Sequence, residues 1–305
     1  MLCQLNLPFL AVFSKELAVL IFKTKNDLRA HLNKARDDGN RIGLVTTMGA
    51  LHEGHLSLMR FTKERSDILV CSIFVNPTQF NSNEDLAKYP RPIKKDIEML
   101  EEVHCDVLFL PEVEEMYSGQ EEWHIDLDGL DNVLEGAFRP GHFQGVTQIV
   151  KKLFDAVDPD IASFGQKDYQ QFAVIKKMVE LFNLPVELQL CPTVREANGL
   201  AMSSRNVRLS EEGRVQALAL SRALQQASQK VENGIVPYSL VKEEAVLFLK
   251  SSEGIEVEYF EICDRNTLAS VDRPVSGVKL IALVAAWVEG VRLIDNVLIP
   301  AQESK

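Results

Sequence analysis

The sequence has no closely spaced cysteines. Its five, Cys3, Cys71, Cys105, Cys191 and Cys263, are odd in number and widely separated, which argues against a disulfide framework or a cysteine metal knuckle and suits a reducing compartment. Positive charge is also short: 33 Lys and Arg stand against 44 Asp and Glu, a formal net charge of -11. Gripping a phosphate backbone needs clustered cations, so no nucleic-acid partner is expected. No Pro-rich, Gly-rich or repeated segment is present, which removes the disordered and solenoid classes. Long apolar runs are absent as well. The nearest, residues 5–20, is broken by Ser14, Lys15 and Glu16, and it lacks a basic leader and a small-residue cleavage site. Neither a membrane span nor secretion is expected, and a cytoplasmic enzyme acting on a small molecule is.

What is present is ordinary for a globular protein: 305 residues, 46% hydrophobic and 25% charged, long enough for two domains. Apolar β-rich runs at 17–22, 42–46, 68–75, 107–110, 161–164 and 186–190 read as strands, the first of them buried. Between them, 26–38, 55–65, 93–103 and 169–182 carry helical patterns with start or stop signals. This alternation predicts an α/β fold with a Rossmann-like, doubly wound parallel sheet. After Pro192 the order changes. Ser210 caps a helix to about Asn233, a second helix covers 240–250, and strands follow at 255–262, 278–288 and 291–299, with Glu289-Gly290 as a hairpin turn. The expected division is a domain of residues 1–193 and a smaller α+β domain of residues 194–305.

Residues 45–55 follow an expected strand and open an expected helix. Ligands of open α/β sheets sit at strand carboxyl ends, and a helix N-terminus presents free N–H groups to phosphates. Gly49 and Gly54 allow close backbone approach, and His52 and His55 fall on one side of a helical turn, where both can donate to phosphate oxygens. By themselves the two histidines fit a zinc pair or a surface turn as well. Zinc would need a third ligand, and no Cys or His cluster offers one in sequence. Residues 165–171 repeat the strand-to-helix arrangement, with Lys167 in reach of a phosphate, Asp168 as a cap and Gln171 on the same helix face as Lys167. Solvated turn residues would look alike. At the domain boundary, Met202-Ser203-Ser204-Arg205 supplies hydroxyls and a guanidinium suited to closing over a polyphosphate, a combination also common in plain loops. Gln79 sits where a strand leaves into a polar loop.

Taken in order, the segments TMGALHEGH, FVNPTQF, EDLAKYPR, LEGAFRPGHFQGV, FGQKDYQQ and TVREANGLAMSSRN resemble the pantoate-β-alanine ligases of the HIGH-motif nucleotidyltransferase superfamily. The resemblance runs from about Leu17 to Ile299. It implies ATP-dependent condensation of pantoate with β-alanine through a pantoyl adenylate, with release of pyrophosphate and AMP, Mg2+ accompanying ATP, and a homodimer. By motif it implies an ATP site of Met48, Gly49, Ala50, Leu51, His52, Glu53, Gly54 and His55, of Gly165, Gln166, Lys167 and Asp168, of Val194, and of Met202, Ser203, Ser204 and Arg205. His52, His55 (as proton donor), Lys167, Ser203, Ser204 and Arg205 carry the catalytic roles. Gln79 and Gln171 would hold pantoate, with Asn76 in support; neutral amides can bond its carboxylate without the ion pair that would stabilise the nucleophile's ground state.

Gln166 and Gln144 depart from a frequent Glu and a frequent Arg. Lys94 and Lys95 precede Asp96 where acidic residues are frequent, so no metal ligand is assigned. The superfamily motif alone also allows a nucleotidyltransferase that keeps the nucleotide in its product, a tRNA-charging enzyme, or a non-catalytic nucleotide-binding scaffold. The later motifs oppose the first, the charge balance the second, and the intact histidines and Lys167 the third.

Overall fold

The computed structural model describes residues 18–300 except 81, 82, 118, 120 and 121. The apolar stretch before residue 18, with Cys3, lies outside the described residues. The first part of the chain folds as β1 (Leu20–Phe22), α1 (Lys25–Asp37), β2 (Ile42–Thr47), α2 (Glu53–Lys63), β3 (Ile68–Ile73), α3 (Asn83–Lys88) and α4 (Ile93–Glu102). It continues with β4 (Val107–Phe109), α5 (Val113–Met116), α6 (Glu135–Phe138), α7 (His142–Val157), β5 (Ile161–Gly165), α8 (Tyr169–Leu181) and β6 (Glu187–Cys191). The second part comprises α9 (Glu211–Glu232), α10 (Tyr238–Ser251), β7 (Ile255–Asp264), β8 (Leu280–Val288) and β9 (Val291–Ile299).

The six strands of the first part are parallel, in the order β1-β4-β3-β2-β5-β6. Successive strand residues point to opposite faces, and both faces are buried. Leu44, Val70, Val107 and Phe109 pack with α1, α7 and α8, while Val45, Leu69, Cys71 and Leu108 pack with α2 and α4. Helices on both faces make the fold doubly wound. From β2 the chain winds outward through β3 and β4, then crosses to the other side of β2 for β5 and β6, so the switch point falls between β2 and β5. These two strands pair at Gly43–Ile161 and Leu44–Ala162, and a crevice opens beyond, at their carboxyl ends.

One expectation needs revision. The first strand is expected to be buried, but among the described residues β1 pairs with β4 alone and leaves Leu20 49% and Ile21 44% exposed, so it is an edge strand. The sequence patterns also did not point to α7, the most deeply buried helix of the first part. Gly141, its N-cap, adopts φ 79° and makes no side-chain cap bond, and the first turn has no acidic residue. Gly145, Val146, Thr147, Ile149 and Val150 are weak helix formers, so burial against the sheet, rather than propensity, holds this helix together.

In the second part, Ser210 Oγ accepts from Gly213 N (3.0 Å) and caps α9. The antiparallel sheet β7-β8-β9 packs its inner face on α9 and α10, forming a separate core from Leu200 to Ile299. The β8–β9 connection is Glu289-Gly290, with φ of 50° and 72°, as a tight primed hairpin turn requires.

Gly145 allows α7 to touch the loop after β3: a Cβ there would sit 2.5 Å from the Thr78 carbonyl oxygen. Gly145→Ala should therefore cost about 1–3 kcal/mol through overpacking, read as a lower denaturant midpoint with unchanged slope. An unchanged midpoint would mean that the loop yields freely.

Candidate active site

After β2 the chain turns through Gly49 (φ 80°) and Ala50 (φ 50°), a left-handed stretch that suits glycine and strains alanine. Asp96, on the buried side of α4 and 1% exposed, accepts from Ala50 N (3.0 Å) and Leu51 N (2.8 Å). Burial raises its pKa, and the two N–H bonds pull it partly back. A Cβ on Gly49 would lie 3.0 Å from Asp96 Oδ2, so the carboxylate keeps that position small.

The turn delivers His52 as the N-cap of α2, which begins two residues earlier than its apolar pattern suggests. His52 Nδ1 accepts from Gly54 N (3.2 Å), and His55 Nδ1 accepts from His52 N (3.3 Å). Each neutral ring therefore carries its proton on Nε2. The ring centroids are 4.1 Å apart. Burial lowers the His52 pKa to about 4, helped by the Lys167 cation. Burial, then His52 and Lys167, lowers that of His55 to about 3. At neutral pH the pair presents two uncharged N–H donors.

A cavity of about 210 Å³ lies at the carboxyl ends of β2 and β5. All four stretches singled out in the sequence meet in its wall. Met48, His52, Gly54 and His55 come from the first turn, and Asn76 and Gln79 from the loop after β3. Gly165, Lys167, Asp168 and Gln171 come from beyond β5, and Val194, Met202, Ser203, Ser204 and Arg205 from the segment between the two sheets. Lys167 Nζ stands 3.6 Å from Asp168 Oδ1. Ser203 Oγ accepts from Arg205 N (3.2 Å), opening the short helical turn Ser204–Arg208. A second cavity of about 490 Å³, between the two parts of the chain, shares Lys167, Asp168, Ser203 and Arg205 with the first.

Five of the expected nucleotide residues are not in the cavity wall. Gly49 and Ala50 form the turn behind it, and Leu51 is buried in the core. Glu53 pairs with Arg60 across the exposed side of α2, and Gln166 bonds Asn296. Gln144 lies apart from the site, bonding both backbone groups of Ile125 and the Asp131 carboxylate.

Asn76 lines the cavity, but its amide is engaged elsewhere. Its Oδ1 accepts from Tyr117 Oη (2.7 Å) and Thr78 Oγ1 (3.2 Å), and its Nδ2 donates to Gly145 O (3.2 Å) and Gln79 Oε1 (3.3 Å). It acts by fixing Gln79. The Gln79 carbonyl accepts from His142 Nδ1 (2.8 Å) and Arg139 Nη2 (3.3 Å). Arg139 Nη1 donates to His142 Nε2 (3.1 Å), consistent with a neutral ring whose pKa burial and then Arg139 lower to about 4.

Asp96, Arg139, His142 and Tyr89 were given no role from the sequence. Asp96 left a signal: it stands four residues before buried Leu100, a charge on the apolar face of its helix. Arg139 and His142 sit inside LEGAFRPGHFQGV, and Tyr89, which lines the cavity and bonds Ser204, sits inside EDLAKYPR.

Paired neutral imidazoles, a lysine and a Ser-Ser-Arg segment around one crevice at the switch point of an α/β sheet are groups able to bond phosphate oxygens. The family model described as pantoate-beta-alanine ligase matches residues 20–298, and the chain belongs to that family of pantothenate-forming ligases. The pantothenate synthetase of Syntrophotalea carbinolica is 49% identical over 269 residues, 86% of this chain and 92% of that one. That of Moorella thermoacetica is 46% identical over 283 residues, 93% and 99% of the two chains. The crystal structure of pantothenate synthetase from Thermus thermophilus superposes with a TM-score of 0.84 at 38% identity, over 92% of this chain and 99% of that one. The pantoate-beta-alanine ligase of Francisella tularensis, complexed with beta-gamma ATP and beta-alanine, gives 0.75 at 32% identity, over 92% and 98%.

One buried and two half-buried imidazoles, His142, His52 and His55, make the fold acid-sensitive. In the unfolded chain each takes a proton below about pH 6.5, whereas His52 and His142 resist down to about 4 and His55 to about 3. Between these limits the unfolded state binds more protons, so stability falls with falling pH and levels off below the folded values. The melting midpoint should drop from pH 6.5 to 4, and less steeply in His55→Asn. Equal slopes in the two proteins would refute the assignment.

Proposed function

We propose that this enzyme joins pantoate to β-alanine at the expense of ATP through a pantoyl adenylate. The carrying observation is the convergence of His52, His55, Lys167 and Ser203 to Arg205 on one cavity at the β2–β5 switch point. A pantoate carboxylate oxygen attacks the α-phosphorus, the bond to the bridging oxygen breaks, and pyrophosphate leaves. The β-alanine amine then attacks the acyl carbon, the bond to the AMP oxygen breaks, and a proton leaves the nitrogen. Adenylation transfers no proton, so the Nε2–H groups of neutral His52 and His55 suffice to bond the phosphoryl oxygens as charge shifts. In the free protein, with its pKa near 3, His55 acts through this hydrogen bond rather than as an imidazolium.

Lys167, Ser203, Ser204 and Arg205 face the departing pyrophosphate, and Gly165, Asp168, Val194, Met202 and the turn 48–55 complete the nucleotide site. Gln79 and Gln171 hold pantoate, and Asn76 keeps Gln79 in place. The ATP and β-alanine of the Francisella tularensis complex are in keeping with this substrate pair. Residues 1–193 serve as the nucleotide- and pantoate-binding domain and 194–305 as the closing domain. This reading includes a cytoplasmic homodimer. Cys71, Cys105, Cys191 and Cys263 are free thiols, and among the described residues no helix is long and apolar enough to cross a membrane.

Among the described residues no group of three or more His, Cys, Asp or Glu is arranged to hold a metal ion, and Asp96 spends its oxygens on Ala50 N and Leu51 N.

The reading predicts pantoate-dependent exchange of labelled pyrophosphate into ATP without β-alanine. Lys167→Ala and His55→Ala should each reduce it by about 10²–10³-fold, the scale of losing a transition-state donor. Wild-type exchange in either variant would remove that residue from the mechanism. An ATP-derived product that retains the nucleotide would overturn the ligase reading.

A further inference from the structure

The turn that carries Lys167 is held from outside its own domain. Gln166 to Asp168 form a single short helical turn between β5 and α8, and two of its backbone carbonyls accept from a side chain on β9. Asn296 Nδ2 donates to Gln166 O (2.8 Å) and to Lys167 O (2.9 Å), and its Oδ1 accepts from Gln166 Nε2 (3.1 Å). Both amide protons and the amide oxygen are used, and the side chain is 2% exposed. A buried amide satisfied in this way has one rotamer and one orientation, which makes it a rigid brace.

The preceding residue braces the opposite wall. Asp295, 5% exposed, takes a bidentate pair of bonds from Arg195 (2.7 and 2.9 Å). Arg195 bridges to Ala201 across a loop closed by Met202 N donating to Val194 O (3.0 Å). That loop leads directly into Ser203, Ser204 and Arg205. Two consecutive residues of one strand thus hold the two stretches that face each other across the cavity. The same strand is tied to the first domain by Arg292, which pairs with buried Glu135 (2.6 and 2.7 Å).

We propose that Asn296 is a positioning residue that sets Lys167 against the polyphosphate, with Asp295 as the brace for the facing wall. This rests on the adenylating reading above. Asn296 touches no substrate; it acts by holding the Lys167 backbone, so its effect must travel through the Lys167 ammonium.

The test is a double-mutant cycle on ligand affinity. The probes are α,β-methylene-ATP, which carries the full triphosphate but resists adenylate transfer, and AMP, which lacks the β- and γ-phosphates. Calorimetry should show Asn296→Ala and Lys167→Ala each weakening the ATP analogue about tenfold, the scale of one charge-assisted phosphate contact, with AMP affinity within twofold of wild type. In Lys167→Ala, adding Asn296→Ala should weaken the analogue no further. A further tenfold loss in the double variant, or equal losses for the analogue and AMP, would reduce Asn296 to a general structural role and overturn the inference. If Asn296→Ala does not fold, Gln166→Ala removes the bond that orients the brace without emptying the position on β9, and it must show the same dependence on Lys167. Failure of the wild-type protein to bind the analogue would instead contradict the adenylating reading itself.

Discussion

Asp96 holds a turn that would otherwise be unfavourable. The segment after β2 must pass through two left-handed residues, one of them an alanine, to point the start of α2 into the crevice. Backbone of this kind persists only where its surroundings over-determine it. Here a buried carboxylate does so by accepting from two consecutive N–H groups. The placement of His52 and His55 follows, since each ring is then fixed by a bond to the first turn of the helix. Their shared tautomer follows from those two bonds, and Asp96 holds the turn that leads into them.

The same logic recurs around the cavity. His142 and Arg139 hold the backbone carbonyl of Gln79, Asn76 holds its side-chain amide, and Asn296 holds the backbone of Lys167. Burial, not charge pairing, sets the protonation of the histidines, because desolvation heads the causes for each. The Arg292–Glu135 ion pair is structural and joins the two parts of the chain. Burial pushes Glu135 up, yet its bonds to Arg292 and Tyr259 outweigh that and keep it ionised. The C-terminal sheet is thereby tied to the first part of the chain.

Much of this was legible in the residues themselves. Strands two to six and their helices were marked by apolar runs and caps, and the motif-bearing segments fell at strand ends where an open parallel sheet collects ligands. What escaped had physical reasons. Helix α7 is held by burial and has neither cap nor propensity to announce it. Strand β1 looked buried because apolar composition does not reveal whether a strand has one neighbour or two. Within the site, sequence picked out residues by their motifs and could not tell a cavity-facing side chain from one turned away, so Glu53 and Gln166 were grouped with His52 and Lys167. The supporting residues Asp96 and Asn296 lie 41 and 129 positions from the residues they serve, His55 and Lys167, distances over which no local pattern operates.

The central claim is that the pantoate carboxylate itself becomes bonded to the α-phosphorus of ATP. It is tested most directly with pantoate labelled with oxygen-18 in both carboxylate oxygens, the products of one turnover with ATP and β-alanine being weighed by mass spectrometry. One labelled oxygen should appear in AMP and the other should stay in the new amide. Unlabelled AMP, or label in orthophosphate, would mean that activation proceeds by another intermediate and would contradict the account.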